Sequence, residues 1–104
     1  MIFRKRAEEL VSQMTLAEKI AQMKYDAPAI ERLHVPAYNW WNECLHGVAR
    51  AGTATVFPQA IGMAASFNTE LMHQVATAIS DEARGQYNEY KKSGETDIYQ
   101  GLTY

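Results

Sequence analysis

Apolar residues recur at helical spacing from the start of the chain. Ala7, Leu10, Val11 and Met14 fall on one face, and Arg6, Glu8, Glu9, Ser12 and Gln13 on the other, as in a helix with one side turned to a core. Thr15-Leu16-Ala17-Glu18 follows and has the form of a capping box. In that motif the threonine hydroxyl takes a free backbone amide, and the glutamate reaches back to the cap residue's own N–H. The spacing predicts a second helix over 16–24, presenting Leu16, Ile20 and Met23. The longest helix is predicted over 69–91, capped by Asn68. Its buried stripe would be Met72, Val75, Ala76, Ile79, Ala83, Tyr87 and Tyr90.

Between these helices the pattern breaks up. Pro28 and Pro36 punctuate a short amphipathic piece carrying Ile30 and Leu33. Residues 37–41 are aromatic-rich and suit a strand. Residues 42–51 read as a loop with a short helical turn, and Gly47 and Gly52 support that loop character. Residues 53–57 and 61–67 read as extended segments around Pro58, the second using the small side chains of a strand crowded by its neighbours. A turn-rich loop over 93–97 leads to 98–104, which has the composition of another strand's beginning.

A strand, a long helix and the start of a further strand form the βα rhythm of a parallel sheet. Parallel strands need neighbours on both sides and cover on both faces, and one and a half units supply neither. The reading is therefore an α/β fold represented in part, mostly helical with a few short strands. Residues 1–36 would be a helical lead-in, and 37–104 a first βα unit with the start of the next strand.

Composition narrows the classes of function. The chain has 104 residues, 47% of them hydrophobic and 21% charged, which is ordinary for a folded protein. A net charge of −2 supplies no basic field to gather phosphates, which argues against a nucleic-acid partner. Arg4-Lys5-Arg6 reads as a solvated helix start. No apolar run approaches the ~18 residues of a membrane span, and the first residues lack the core and cleavage site of a secretory signal. That leaves a cytoplasmic chain or one whose leader has been removed. Cys44 is the single cysteine, so no internal disulfide can form, and a lone thiol fits a reducing compartment.

The densest chemistry lies in Tyr38-Asn39-Trp40-Trp41-Asn42-Glu43-Cys44-Leu45-His46-Gly47-Val48-Ala49-Arg50. Two tryptophans beside a carboxylate suit a sugar: its C–H face packs on an aromatic plane, and vicinal hydroxyls donate charge-assisted bonds to the carboxylate. The same residues also suit a plain reading, two core tryptophans and a surface acid. Cys44 and His46 complete neither a zinc set nor a demonstrated nucleophile and base; packing and a loop hydrogen bond are expected instead. Asp81 and Glu82 are helix neighbours that point apart, expected as surface charges with Arg84 nearby. Glu95 and Asp97 read as solvated turn residues, and His34 and His73 as solvent-facing. Gly62 and Gly101 are expected where backbones approach closely. No metal or phosphate-binding motif appears, and no cofactor is expected.

The run Trp40-Trp41-Asn42-Glu43-Cys44-Leu45-His46-Gly47-Val48-Ala49 resembles the signature of family 3 glycoside hydrolases, most closely the β-xylosidases and related β-glucosidases. Met14-Thr15-Leu16-Ala17-Glu18-Lys19-Ile20 is similar to the family's opening. Thr55-Val56-Phe57-Pro58-Gln59-Ala60-Ile61-Gly62, Ala65-Ser66-Phe67-Asn68, Ser80-Asp81-Glu82-Ala83-Arg84 and Tyr99-Gln100-Gly101-Leu102-Thr103 continue it in order. The likeness covers residues 6–104. It implies the N-terminal part of an incomplete (β/α)₈ barrel and retaining hydrolysis by two carboxylates about 5 Å apart. It also implies that the nucleophile, the acid/base and the basic residues gripping the sugar match no position here.

Two binding positions carry over. Glu43 matches the carboxylate that holds hydroxyls at the −1 subsite, where β-glucosidases commonly have aspartate, and Trp41 matches an aromatic wall of that subsite. The longer glutamate beside paired tryptophans leans toward xylose. The partner implied is a β-linked oligosaccharide, xyloside or glucoside. Further expected partners are the remainder of the barrel, or a second copy through exposed strand edges. The chain alone is expected to be inactive. The alternatives are a complementing piece of a split glycosidase and a helical interaction module using the 72–90 face.

Overall fold

Thr15 sets the first boundary of the fold. The computed structural model describes residues 2–95 and 97–104. Helix α1, Ile2–Gln13, ends just before Thr15, and helix α2 is Leu16–Ala21. The capping box forms as expected: the Glu18 amide donates to Thr15 Oγ1 at 3.2 Å, and the Thr15 amide donates to Glu18 Oε2 at 2.8 Å. Arg32 reaches back across the chain, donating to Glu18 Oε1 at 3.0 Å and to the Gln13 carbonyl at 3.0 Å. One guanidinium thus satisfies a helix-terminal carbonyl and the capping carboxylate together. The expected core stripe of α1 is not covered, because no residue of that helix is buried.

The stretch between the prolines folds back on itself. Strand β1, Asp26–Ala27, pairs antiparallel with strand β2, Tyr38–Asn39, with Asp26 opposite Asn39 and Ala27 opposite Tyr38. Inside this excursion an Ile30–Val35 bridge and a 3₁₀ turn, Glu31–Leu33, close a tight loop. The strand expected over 37–41 is therefore present but short, and its partner is antiparallel. Among the described residues these two strands form the whole named sheet, so the fold is mostly helical.

Two expected strands are absent. Residues 61–67 lie largely in helix α3, Ala60–Ala64, with amide bonds from Met63 to Gln59 and Ala65 to Ile61, each 3.1 Å. Small side chains suit a crowded strand and a helix equally. Alanine is the best helix former, and no strand lies alongside, so local propensity prevails. Gly62 consequently faces open space: a Cβ there would meet only Pro58, at 3.9 Å. The second missing strand is 98–104, which forms turns and bends around Tyr99 at a φ of 65°.

Helix α4, Thr69–Ser93, is the spine, with the Asn68 side chain accepting from the Leu71 amide at 2.9 Å. Three of its side chains hold the segment before Phe57. Glu82 accepts from the Thr55 amide (3.1 Å) and hydroxyl (2.7 Å), Gln86 donates to the Thr53 carbonyl (3.2 Å), and Tyr90 donates to the Ala51 carbonyl (2.7 Å). The spacing is four residues on the helix and two on the facing segment. Four helical residues rise about 6 Å and two extended residues about 6.6 Å, so the two repeats stay in step. Glu82 is thus a structural clasp, and its partner is Thr55; the expected neighbour Arg84 makes no ion pair with it.

The core is small. Val48, Ile79 and Ala83 are buried together, with Cys44, Ala54, Phe57, Val75 and Leu102 packed against them. Of the stripe expected on α4 only Ile79 and Ala83 are buried, and Ala76 is exposed. An apolar groove of ≈ 390 Å³ runs along that face, lined by Leu45, Met63, Met72, Val75 and Leu102 among others. The accessible surface is 7874 Å², against about 5,900 Å² for a compact monomer of this mass. The radius of gyration is 16.9 Å, where about 13 Å is usual for this length.

The Arg32 and Thr15 bonds hold the Glu18 carboxyl down from 4.5 to about 2. A lowered folded-state value contributes stability that is complete above 4.5 and lost as pH falls toward 2. Glu18→Gln is therefore expected to unfold at a lower temperature than the native chain at pH 7. The gap should close on acidification through that window, as followed by circular dichroism. A gap independent of pH would contradict the assignment.

Candidate functional site

Asn42 organises the residues around it. Its Nδ2 donates to the Asn39 carbonyl at 3.0 Å and to Thr103 Oγ1 at 3.1 Å, and its Oδ1 accepts from the Gly101 amide at 2.7 Å. The Tyr38 hydroxyl accepts from the Leu102 amide at 2.8 Å, and the Tyr99 amide donates to the Trp41 carbonyl at 2.8 Å. The final segment is thereby laced along β2 and its continuation. Gly101 is required at this crossing, since a Cβ would stand 2.6 Å from Tyr38 Oη and 2.7 Å from Asn42 Nδ2. The close approach expected at Gly101 is found; the one at Gly62 is not.

Both tryptophans remain partly in solvent, Trp40 54% and Trp41 53% exposed. Each meets a tyrosine edge-on, Trp40 with Tyr38 at 4.9 Å and Trp41 with Tyr25 at 5.3 Å between centroids. Such pairs fix ring orientation while leaving the opposite faces open. Neither ring is a core residue here.

Glu43 follows in the sequence, half-buried, at the edge of a small cleft of ≈ 120 Å³ lined also by His46, Gly47, Ala49, Arg50 and Val56. Arg50 Nη1 stands 3.9 Å from Glu43 Oε2, and the same guanidinium lies over the Tyr99 ring, 5.3 Å from its centroid. The structure brings Glu43 into this cleft; Trp41, the other residue singled out from the sequence, does not line it. Arg50 and Tyr99 each fall in a run singled out from the sequence, but their pairing had no sequence signal, because 49 positions separate them and only the fold makes them neighbours.

The floor of the cleft is held from both sides. His46 Nδ1 lies 3.0 Å from the Phe57 carbonyl, and the Phe57 amide donates to the His46 carbonyl at 2.9 Å. A carbonyl only accepts, so Nδ1 carries a proton in this contact. Gly47 turns the chain at a φ of 120°, against the Thr55 carbonyl, where a side chain would not fit. Cys44 points to the core, and burial pushes its thiol up from the usual value, which makes it a poorer nucleophile at neutral pH. His34 and His73 are exposed. Among the described residues no three His, Cys, Asp or Glu side chains gather as a metal site, and no helix is long and apolar enough to cross a membrane.

Gly101→Ala is expected to cost about 1–3 kcal/mol, as overpacking does, and to shift tryptophan emission as the lacing loosens. Gly62→Ala, in open helical space, should be neutral or stabilising by up to about 1 kcal/mol. Urea titrations of the two variants would show the contrast, and equal midpoints would contradict it.

Comparison with known proteins adds to this geometry. The profile described as the glycosyl hydrolase family 3 N terminal domain matches residues 2–86. A probable beta-D-xylosidase 7 of Arabidopsis thaliana is 49% identical over 102 residues, covering 88% of this chain and 13% of that protein. A probable exo-1,4-beta-xylosidase of Aspergillus flavus is 49% identical over 94 residues, covering 80% of this chain and 12% of that one. A xylan 1,4-beta-xylosidase of Xylanibacter ruminicola is 46% identical over 94 residues, covering 88% and 11%. The chain thus spans 11–13% of the length of these relatives. No solved structure matches it.

Proposed function

The chain belongs to glycosyl hydrolase family 3, and we propose that it is part of a retaining, exo-acting β-glycosidase that removes terminal β-linked xylose, or glucose, from oligosaccharides. The observation that carries this is Glu43, half-buried at the edge of a small cleft and directly following, in sequence, a run with two half-exposed tryptophans. Its carboxylate is free to accept from neighbouring hydroxyls, which suits a sugar ring better than a structural acid. The xylose lean rests on relatives whose names are β-xylosidases.

In this reading residues 1–104 form one part of a (β/α)₈ barrel domain. Residues 1–36 are its lead-in, and 37–104 carry the first βα unit and the approach to the next strand. Glu43 binds, Trp41 forms a wall of the −1 subsite, and neither cuts the bond. Retaining hydrolysis needs a nucleophile and an acid/base about 5 Å apart. Several acids here have structural engagements instead: Glu18 with Arg32, Glu82 with Thr55, Glu89 with Lys92. The resemblance to the family implies that the two reacting carboxylates belong to other residues of the enzyme. The uncovered groove along α4 and the surplus surface favour one further reading, a piece that completes an enzyme by binding the rest of the barrel.

The test has two arms. The purified chain is expected not to hydrolyse a chromogenic β-xyloside; turnover abolished by Glu43→Ala would refute the non-catalytic role. Placed in a β-xylosidase relative in exchange for the matching segment, residues 2–104 should support hydrolysis. There Glu43→Ala should lower kcat/KM about 10- to 150-fold, the range for losing a hydrogen bond to a charged group. An unchanged kcat/KM would remove Glu43 from the subsite.

A further inference from the structure

We infer that Arg50, seated on the ring of Tyr99, is the positioning residue that aims the Glu43 carboxylate at the sugar; this rests on Glu43 acting in the subsite proposed above. Arg50 sits on the 3₁₀ turn Ala49–Ala51, directly after the buried Val48. The turn is tied to α4 through the Ala51 carbonyl and the Tyr90 hydroxyl, so the root of the arginine is fixed. Its planar head then makes two contacts of different kinds. Its face lies over Tyr99 at 5.3 Å, within cation–π range. Its edge approaches Glu43 at 3.9 Å.

The length of that second contact is informative. At 3.9 Å the guanidinium attracts the carboxylate without occupying its lone pairs in a hydrogen bond. Glu43 is oriented and still open to hydroxyl donors. The pair also presents an acceptor and a donor side by side, the complement of two adjacent sugar hydroxyls. Tyr99 belongs to the same frame, because its amide donates to the Trp41 carbonyl at 2.8 Å, two residues before Glu43. Its φ of 65° is a conformation that a bulky residue adopts at a cost, and it brings the ring beneath Arg50. Platform, cation and carboxylate are therefore referenced to one stretch of backbone.

A pair this exposed, 61% at Arg50 and 41% at Glu43, contributes little to stability. Its effect belongs in substrate binding. In the 104-residue chain, NMR can follow the Glu43 carboxyl carbon and the Arg50 Nε–H. Tyr99→Leu should move both signals and Tyr99→Phe, which keeps the ring, should leave them in place; no movement in Tyr99→Leu overturns the proposal. In the β-xylosidase carrying residues 2–104, Arg50→Ala and Tyr99→Leu should raise KM for p-nitrophenyl β-D-xyloside about 3- to 5-fold. Neither kcat nor the unfolding midpoint should change, and Tyr99→Phe should restore KM. A lower midpoint with unchanged KM would make Arg50 merely structural and overturn the inference. Glu43→Ala separates the two levels: if it leaves kcat/KM unaltered the subsite reading itself fails, whereas if it lowers kcat/KM and Arg50→Ala does not raise KM, only the positioning role fails.

Discussion

The match in pitch between α4 and the segment before Phe57 is the constraint from which the rest of the structure follows. A helix advances about as far in four residues as an extended chain does in two. Glu82, Gln86 and Tyr90 therefore reach Thr55, Thr53 and Ala51 in turn. Once these bonds are made, Val48 and Phe57 are delivered to Ile79 and Ala83. The turn at Gly47 and the carbonyl exchange between His46 and Phe57 then close the floor of the cleft that holds Glu43. Helix, core and cleft are one mechanical unit, assembled with few buried apolar residues because polar bonds set the register.

A second lacing completes the site from the opposite side. Asn42 satisfies its carboxamide with the Asn39 carbonyl, the Gly101 amide and the Thr103 hydroxyl, while Tyr38 serves the neighbouring Leu102 amide. These are side chains doing the pairing that a β-ladder would otherwise do, which explains why 98–104 needs no strand geometry to be held. The tryptophans remain partly open because tyrosine edges, not core packing, orient them.

What could be read from the sequence was whatever is local. The Thr15–Glu18 capping box, the Asn68 cap and the extent of α4 depend on neighbours within a few residues and formed as expected. The glutamate beside two tryptophans was visible for the same reason. The segment 61–67 has the small side chains of a crowded strand, yet most of it forms a helix because alanine favours one and no strand lies alongside to claim it. Arg50 over Tyr99, and the partnership of Glu82 with Thr55, join positions far apart in the chain and could not be read from spacing. The stripe on α4 was correctly periodic, yet periodicity states which face is apolar and not whether anything lies upon it.

That open face has a thermodynamic corollary. A surface that seats along the Met72–Leu102 groove binds only the ordered form of α4, so its binding energy adds directly to the folding equilibrium of this stretch. Affinity and foldedness are then two readings of a single quantity. The melting temperature of the chain would climb with the concentration of whatever fills the groove, as it does for a subunit whose core is shared between two polypeptides.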